Sequence, residues 1–200
     1  MIKTVIFDIG NVLAGFGWEA FLQRNGYSKE IFSRIVKATV GSSAWPEYDR
    51  GRMTDEEVME AFINNDPEIE NEIRQCLDNL DGMMVRYEYA IPWIKELKQK
   101  GYQVLVLSNF ARRAHKECKS ALDFLEYVDG GILSYQEQTI KPEPEIYKRL
   151  IDRYGLTPEE CVFLDDTEKN LTAAAEFGIQ TIHFTDREKA LEELRKLGVE

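Results

Sequence analysis

Cysteine is scarce in this sequence, and the few cysteines are poorly placed to act together. The three of them, Cys76, Cys118 and Cys161, are widely separated along the 200 residues. An odd number of isolated cysteines is typical of reduced thiols and fits neither a disulfide framework nor a zinc site. We therefore expect a cytoplasmic protein without structural zinc.

Long apolar segments and an excess of positive charge are also missing. No window approaches the roughly 20 consecutive apolar residues of a membrane-spanning helix, and the N-terminus lacks a secretory cleavage pattern. Lysine and arginine number 25 against 36 aspartates and glutamates, which gives a net charge of −11. Because such a surface repels phosphate backbones and anionic lipids, the composition predicts no binding to nucleic acids or membranes.

Short, uninterrupted apolar runs are the main pattern that the sequence does contain. Thr4–Phe7, Val104–Leu107 and Cys161–Leu164 show no polar alternation, which is typical of strands buried on both faces of a parallel sheet. Helical patterns lie between the later runs, and glycine follows two of them where a helix would end. This order predicts an α/β fold with a doubly wound, Rossmann-like parallel sheet. The other predicted elements are a weaker strand at Ile179–Ile182 and helices at Ile91–Lys100, Pro144–Tyr154 and Glu168–Phe177.

Residues 14–88 break this rhythm. They contain no convincing strand, and their apolar spacing predicts several amphipathic helices. Thr54 and Glu57 are spaced as a capping box, with Thr54 as the N-cap. We interpret the segment as an all-helical cap domain inserted after the first strand, with residues 1–13 and 89–200 forming the α/β core. The predicted cap helices are Trp18–Arg24, Lys29–Val40, Asp55–Asn64 and Glu68–Asn79.

Polar side chains follow the apolar runs at the points where strands would end. Asp8 follows the first run, Ser108 the second, and Asp165 and Asp166 the third, while Lys141 precedes a proline between them. Ligands of a doubly wound sheet bind outside the carboxyl ends of its strands, so these groups can meet there. Taken singly, each residue has an ordinary interpretation as a turn, a helix cap or a solvated loop residue. Their joint occurrence in this order indicates one site.

The combination suits the transfer of a phosphoryl group. An aspartate such as Asp8 can attack phosphorus and form an aspartyl phosphate. Carboxylates supply the hard oxygen ligands that Mg²⁺ prefers, and the cation offsets the repulsion between a carboxylate and a phosphate. Lys141 and Ser108 can neutralise or hydrogen-bond the transferring group. The expected substrate is a small phosphorylated metabolite.

These segments together resemble the four motifs of the haloacid dehalogenase (HAD) superfamily. The matching stretches are FDIGN, LSN, KPEPEIY and LDDTEKNLTAAAEFGI, and they span nearly the whole chain. A helical insertion between the first and second motifs is similar to the subclass with a small α-helical cap. The Asp-x-Gly-Asn pattern of the first motif resembles bacterial phosphatases, some of which act on sugar phosphates such as glucose 1-phosphate.

The resemblance implies a metal site and a site for the phosphoryl group. Asp8 would be the nucleophile, and Ser108 and Lys141 would contribute to catalysis. The ligands of Mg²⁺ would be Asp8, the backbone carbonyl of Gly10, Asp165 and Asp166. The residues that bind the phosphorylated substrate would be Asn11, Ser108, Asn109 and Lys141.

Gly10 departs from the usual pattern of phosphatases in this superfamily. Most carry a second aspartate at that position as general acid and base, a contribution typically worth about 10²–10⁴-fold. The substrate can have a leaving group that needs little protonation, such as an anomeric sugar phosphate or an acyl phosphate. Alternatively, water or a carboxylate of the insertion (Glu19, Glu47 or Asp49) can replace the acid. In a third explanation, the protein is a weak or inactive member that binds phosphorylated ligands or a protein partner.

Other functions stay open at this stage. A binding or regulatory module with a vestigial site would keep the fold without turnover. A metal-independent haloacid dehalogenase would also lack the second aspartate, but it would have no cation for Asp165 and Asp166 to hold. The sequence has no Gly-rich phosphate-binding loop and no Ser-His-Asp arrangement. It is compatible with a monomer or a homodimer.

Overall fold

A computed structural model, which describes residues 1–17, 21 and 26–200, contains a five-stranded parallel sheet flanked by helices. The strands are Thr4–Phe7 (β1), Ala14–Phe16 (β2), Met84–Arg86 (β3), Gln103–Ser108 (β4), Gly130–Leu133 (β5), Cys161–Asp165 (β6) and Gln180–His183 (β7). The large sheet has the order β5-β4-β1-β6-β7, and every neighbouring pair is parallel. The predicted α/β fold is therefore confirmed.

Both faces of the sheet are covered, as the unbroken apolar runs predict. Val5 and Phe7 of β1 belong to one buried hydrophobic cluster, which also contains Trp93. Ile6 points to the opposite face, where it joins a second cluster with Tyr147 and Phe163. Because successive side chains of a strand point to opposite faces, helices on both sides bury every residue of β1.

The helices match most of the predicted positions to within a few residues. The strand Thr4–Phe7 and the helix Pro144–Tyr154 have the bounds expected from the sequence. None of the described helices has the length and apolar character needed to cross a bilayer. The α-helices are Lys29–Ala38 (α1), Ala44–Arg50 (α2), Asp55–Asn65 (α3), Glu70–Leu77 (α4), Ala90–Gln99 (α5), Arg112–Glu117 (α6), Ser134–Glu137 (α7), Pro144–Tyr154 (α8), Glu168–Ala175 (α9) and Arg187–Lys196 (α10).

The expectation that residues 14–88 contain no strand is wrong. β2 and β3 lie near the two ends of this segment and pair as an antiparallel ribbon, with Gly15 opposite Val85. Helices α1 to α4 lie between the two strands. The predicted helix Trp18–Arg24 lies outside the described residues, apart from Phe21, and the division into a core and a cap domain stays a prediction.

The capping box expected at Thr54 is confirmed, and its removal should weaken α3. The Thr54 hydroxyl accepts a hydrogen bond from the backbone N–H of Glu57, whose carboxylate accepts one from the Thr54 N–H. We expect Thr54→Ala to lower the free energy of unfolding by about 1 kcal/mol, because a side-chain cap is lost. Urea denaturation measures the change. Thr54→Ser keeps a hydroxyl and should retain most of the stability, and an equal loss in both variants would contradict the capping role.

Candidate active site

The carboxyl ends of three neighbouring strands bring the predicted residues together. The register pairs Phe7 of β1 with Val106 of β4 on one side and with Leu164 of β6 on the other. Asp8 follows Phe7 directly, and its backbone N–H donates to the Leu164 carbonyl over 2.9 Å. Ser108 and Asp165 are the last residues of β4 and β6. One edge of the sheet therefore carries all three side chains, and all three are buried.

Lys141 lies at the centre of this group. Its ammonium nitrogen is 2.8 Å from Oδ1 of Asp8 and 2.6 Å from Oδ2 of Asp165, and its side chain is only 1% exposed. Burial acts to lower the pKa of Lys141, but the two carboxylates outweigh burial and raise that pKa above its ordinary value. The lysine is therefore a permanent positive charge between two strands.

Asn109 fixes the backbone of Lys141 in this position. The Asn109 side-chain amide donates to the Lys141 carbonyl over 2.9 Å and accepts from the Lys141 N–H over 2.7 Å. A role for Asn109 in binding substrate stays a prediction. What the structure adds is a positioning role, because this paired hydrogen bond connects the end of β4 to the loop of the buried lysine.

Asp165 is also held by a residue that the sequence does not single out. Nδ2 of Asn170, in α9, lies 3.1 Å from both carboxylate oxygens of Asp165, and the Thr167 N–H donates to Oδ1 over 2.8 Å. Asn170 is itself buried. The only available signal was a polar residue close after the acidic pair, and that signal is common in the first turn of any helix.

The protein environment of Asp8 opposes its ionisation. Burial raises the pKa of Asp8, Lys141 lowers it and Asp165 raises it again, which leaves the pKa at about 6. A hydrogen bond from Ser108 also favours the charged form. Lys141 therefore neutralises the buried Asp8 carboxylate only in part, and a cation at this site would complete the neutralisation.

The side chains of Asp8, Asp165 and Asp166 fit a hard divalent cation. One oxygen from each of the three carboxylates lies within 4.8 Å of the others. The ammonium of Lys141 contacts two of these carboxylates, those of Asp8 and Asp165, and carboxylate oxygens are the ligands that Mg²⁺ prefers. Asp166 is oriented by Asn11, whose Nδ2 donates to Oδ2 of Asp166 over 2.8 Å. The further roles of Asn11 in substrate binding and of the Gly10 carbonyl in metal binding stay predictions.

The place where a second aspartate would stand is crowded by an aromatic ring. A Cβ built on Gly10 would lie 3.3 Å from Cε2 of Phe16 and 3.9 Å from Oδ2 of Asp8. Phe16, the last residue of β2, therefore covers the side of Asp8 that a residue-10 side chain would approach.

Comparison with known families identifies the class of protein to which this fold and acidic edge belong. A family model described as haloacid dehalogenase-like hydrolase matches residues 2–178. The chain belongs to the HAD-like hydrolase family.

Similar proteins and structures cover most of the chain. Acyl-CoA dehydrogenase family member 10 from Mus musculus is 30% identical over 98% of this chain, but the chain spans only 19% of that relative's length. Sesquiterpene phosphatase astK from Aspergillus oryzae is 24% identical over 98% of this chain and 96% of its own length. The crystal structure of the HAD-family enzyme BT-2542 from Bacteroides thetaiotaomicron has a TM-score of 0.72 at 24% identity, covering 96% of this chain and 99% of that chain. This structural similarity supports the fold.

Proposed function

We propose that this protein is a Mg²⁺-dependent phosphatase that hydrolyses a small phosphorylated metabolite through an aspartyl-phosphate intermediate. The observation that carries the proposal is the cluster of Asp8, Asp165 and Asp166 around the buried ammonium of Lys141. Phosphoryl transfer to a carboxylate needs a fixed nucleophile, hard oxygen ligands and compensation of the charge on the transferring group. This cluster offers all three.

Each residue has a defined task in this reaction. Oδ1 or Oδ2 of Asp8 attacks phosphorus, and water later hydrolyses the aspartyl phosphate. Lys141 neutralises charge on the phosphoryl oxygens, and the Ser108 hydroxyl donates a hydrogen bond to one of them. Asp8, Asp165, Asp166 and the Gly10 carbonyl would hold the cation, which would supply positive charge to offset the repulsion between the nucleophile and the phosphate.

Two of the similar proteins support this chemistry. The relative from Aspergillus oryzae is named as a phosphatase, and BT-2542 was crystallised as a complex with magnesium and inorganic phosphate. For this chain we propose sugar phosphates, such as glucose 1-phosphate, as the substrate class to examine first. We also propose that residues 14–88 form the cap domain over a core of residues 1–13 and 89–200 and contribute to the choice of substrate.

Phosphate release from a panel of compounds tests the proposed function. The panel contains sugar, acyl, nucleotide and alkyl phosphates, each assayed with Mg²⁺ and with EDTA, alongside 2-haloacids assayed for halide release. We expect phosphate release only with Mg²⁺, and no halide. Halide release in EDTA would replace the proposal with dehalogenation, and the absence of turnover on every compound would favour a binding module.

Metal binding should also stabilise the fold, independently of turnover. A ligand that binds only the native state at 100 times its dissociation constant adds about 2.7 kcal/mol, so Mg²⁺ should raise the melting temperature of EDTA-treated protein. Asp165→Asn removes a proposed ligand and should abolish most of the increase. Asp152→Asn, at an exposed position of α8, is the matched control. An equal Mg²⁺ effect in both variants would place the binding site elsewhere.

A further inference from the structure

Helix α2 of the insertion lies directly on the loop that carries Lys141. The Ser134 hydroxyl donates to the backbone carbonyl of Asp49 over 2.5 Å. The guanidinium of Arg50 lies 2.7 Å from the carboxylate of Glu143, two residues after Lys141. These contacts fix the position of Asp49 relative to the core, although the two are far apart in the sequence.

Asp49 lines a small cavity together with two residues that border the site, Phe16 and Asn109. The cavity has a volume of about 30 Å³, and its lining includes Asp49, Trp45, Phe16 and Asn109. It has room for a water molecule. Phe16 is the ring that lies beside Gly10, and Asn109 holds the backbone of Lys141. Asp49 therefore lies near the side of the site where a second aspartate is missing, because it shares this cavity with the ring beside Gly10.

The electrostatic environment of Asp49 is that of a group that exchanges protons near neutrality. Burial raises the pKa of Asp49, and the charge of Asp8 raises it further. Lys141 and a hydrogen bond with the Trp45 side chain lower the pKa, so that it lies at about 7. An acid or base is most effective when its pKa lies near the working pH.

Of the other carboxylates that the sequence offered, only Glu47 lies among the described residues, and it is less suitable. Glu47 lies on the same helix, but its carboxylate pairs with Arg50 at 3.2 Å. Glu19 lies outside the described residues. Asp49 therefore combines a carboxylate, a position beside residues that border the site and a fixed place on the core.

We propose that Asp49 is the general acid and base of this enzyme and replaces the carboxylate absent at position 10. The inference rests on the phosphatase function proposed above. It makes α2 part of the catalytic site, so that the insertion supplies a reacting group as well as a cover.

The proposed steps balance as follows. Asp8 forms a bond to phosphorus while the bond from phosphorus to the ester oxygen breaks, and the electron pair of that bond stays on the ester oxygen. Protonated Asp49 gives its proton to this oxygen, which leaves as the alcohol. Water then attacks phosphorus and gives a proton to the Asp49 carboxylate. The bond to Asp8 breaks with its electron pair returning to the carboxylate, so phosphate leaves and Asp49 is protonated again.

Leaving-group dependence tests the acid role of Asp49. An alkyl phosphate needs protonation of its leaving oxygen, whereas p-nitrophenyl phosphate needs little. At saturating Mg²⁺, Asp49→Asn should lower kcat/KM for glycerol phosphate by about 10²–10⁴-fold and that for p-nitrophenyl phosphate by less than about 10-fold. These kcat/KM values include only the steps up to the release of the alcohol, so a slow later hydrolysis does not obscure the comparison.

The base role has its own readout. When hydrolysis of the aspartyl phosphate loses its base, Asp49→Asn should give a rapid burst of p-nitrophenolate, equal to the enzyme concentration, followed by slower turnover. Glu47→Gln is the matched control on the same helix, and it should show neither the selective loss nor the burst. Circular dichroism and the Mg²⁺-dependent rise in melting temperature should be unchanged in both variants.

Three results would overturn the assignment of Asp49. Equal losses of kcat/KM on both substrates would indicate a structural role. A selective loss in Glu47→Gln would move the acid to that residue. A wild-type enzyme that hydrolyses the aryl phosphate but not the alkyl phosphate would mean that no acid is present. If the wild-type protein hydrolyses neither substrate nor any other phosphate, it is the proposed function itself that fails.

Discussion

Replacing Asp8 with asparagine is expected to lower the rate of phosphate release by about 10³-fold or more, because the reaction loses its nucleophile. The amide keeps the size of the side chain, and Lys141 keeps its contact with Asp165 at 2.6 Å. The fold should therefore be unchanged by circular dichroism. Intact mass spectrometry after an acid quench should detect the covalently phosphorylated wild-type protein and no such species in the variant.

An exposed aspartate provides the comparison for this experiment. Asp152→Asn removes the same charge from a solvent-facing position of α8 and should retain the wild-type rate. Turnover that persists in Asp8→Asn, or a phosphorylated species of unchanged amount, would rule out the assignment of the nucleophile. Loss of activity together with loss of the folded far-ultraviolet spectrum would mean that Asp8 acts mainly in stability.

Replacing Lys141 with methionine should give the largest effect on stability. The lysine neutralises two buried carboxylates, and removal of one partner from a buried ion pair typically costs about 3–5 kcal/mol. We therefore expect the free energy of unfolding, measured by urea denaturation in EDTA, to fall by about that amount. Phosphate release should fall as well, because the transferring group loses its fixed positive charge.

A second substitution separates charge from packing at Lys141. In the double variant Lys141→Met, Asp165→Asn, one of the uncompensated carboxylates is gone, so part of the lost stability should return. Lys148→Met, at an exposed position of α8, should change the stability little. If Lys141→Met unfolds at the wild-type urea concentration, the ion pair does not hold the site together. If the double variant is no more stable than the single one, the effect of Lys141 comes from packing.

The large sheet was predictable where burial produced a simple local pattern. The strands β1, β4 and β6 are apolar runs buried on both faces, and a run of that kind needs no knowledge of its neighbours to be recognised. The polar residues that end these strands follow from the same reasoning, because the carboxyl ends of parallel strands share one edge. Asp8, Ser108 and Asp165 were found in this way.

Strand β5 was not predictable because it begins with two glycines and lacks the unbroken apolar run of β1, β4 and β6. Glycine in a strand usually indicates a weak or interrupted strand. Here Gly131 has a φ of +149°, and a Cβ at this position would collide with the backbone carbonyl of Val106 in β4. The glycine is required because β5 and β4 approach each other closely at this point. This requirement depends on β4, so the sequence of β5 alone does not reveal it.

The remaining parts of the site depend on contacts between distant segments. β2 and β3 are three residues long and are paired across the whole insertion, so neither shows a periodic pattern. Asp49 was one of three carboxylates that the sequence could not rank, because only the docking of α2 on the loop of Lys141 separates it from Glu47. Asn170 was missed for a different reason: it lies five residues after Asp165, where a polar residue is common in the first turn of any helix.

The pairing of β2 with β3 also determines how readily the segment between these two strands can change in length and sequence. Because the segment from β2 to β3 begins and ends in adjacent strands, the large sheet requires only that these two ends lie side by side. The stretch between them can be lengthened, shortened or exchanged at a modest entropic cost of closing the loop, while the nucleophile and the acidic edge keep their places. Under the function proposed above, substrate recognition can therefore change while the bond-breaking residues stay constant, provided that each new insert keeps a proton donor at the position of Asp49.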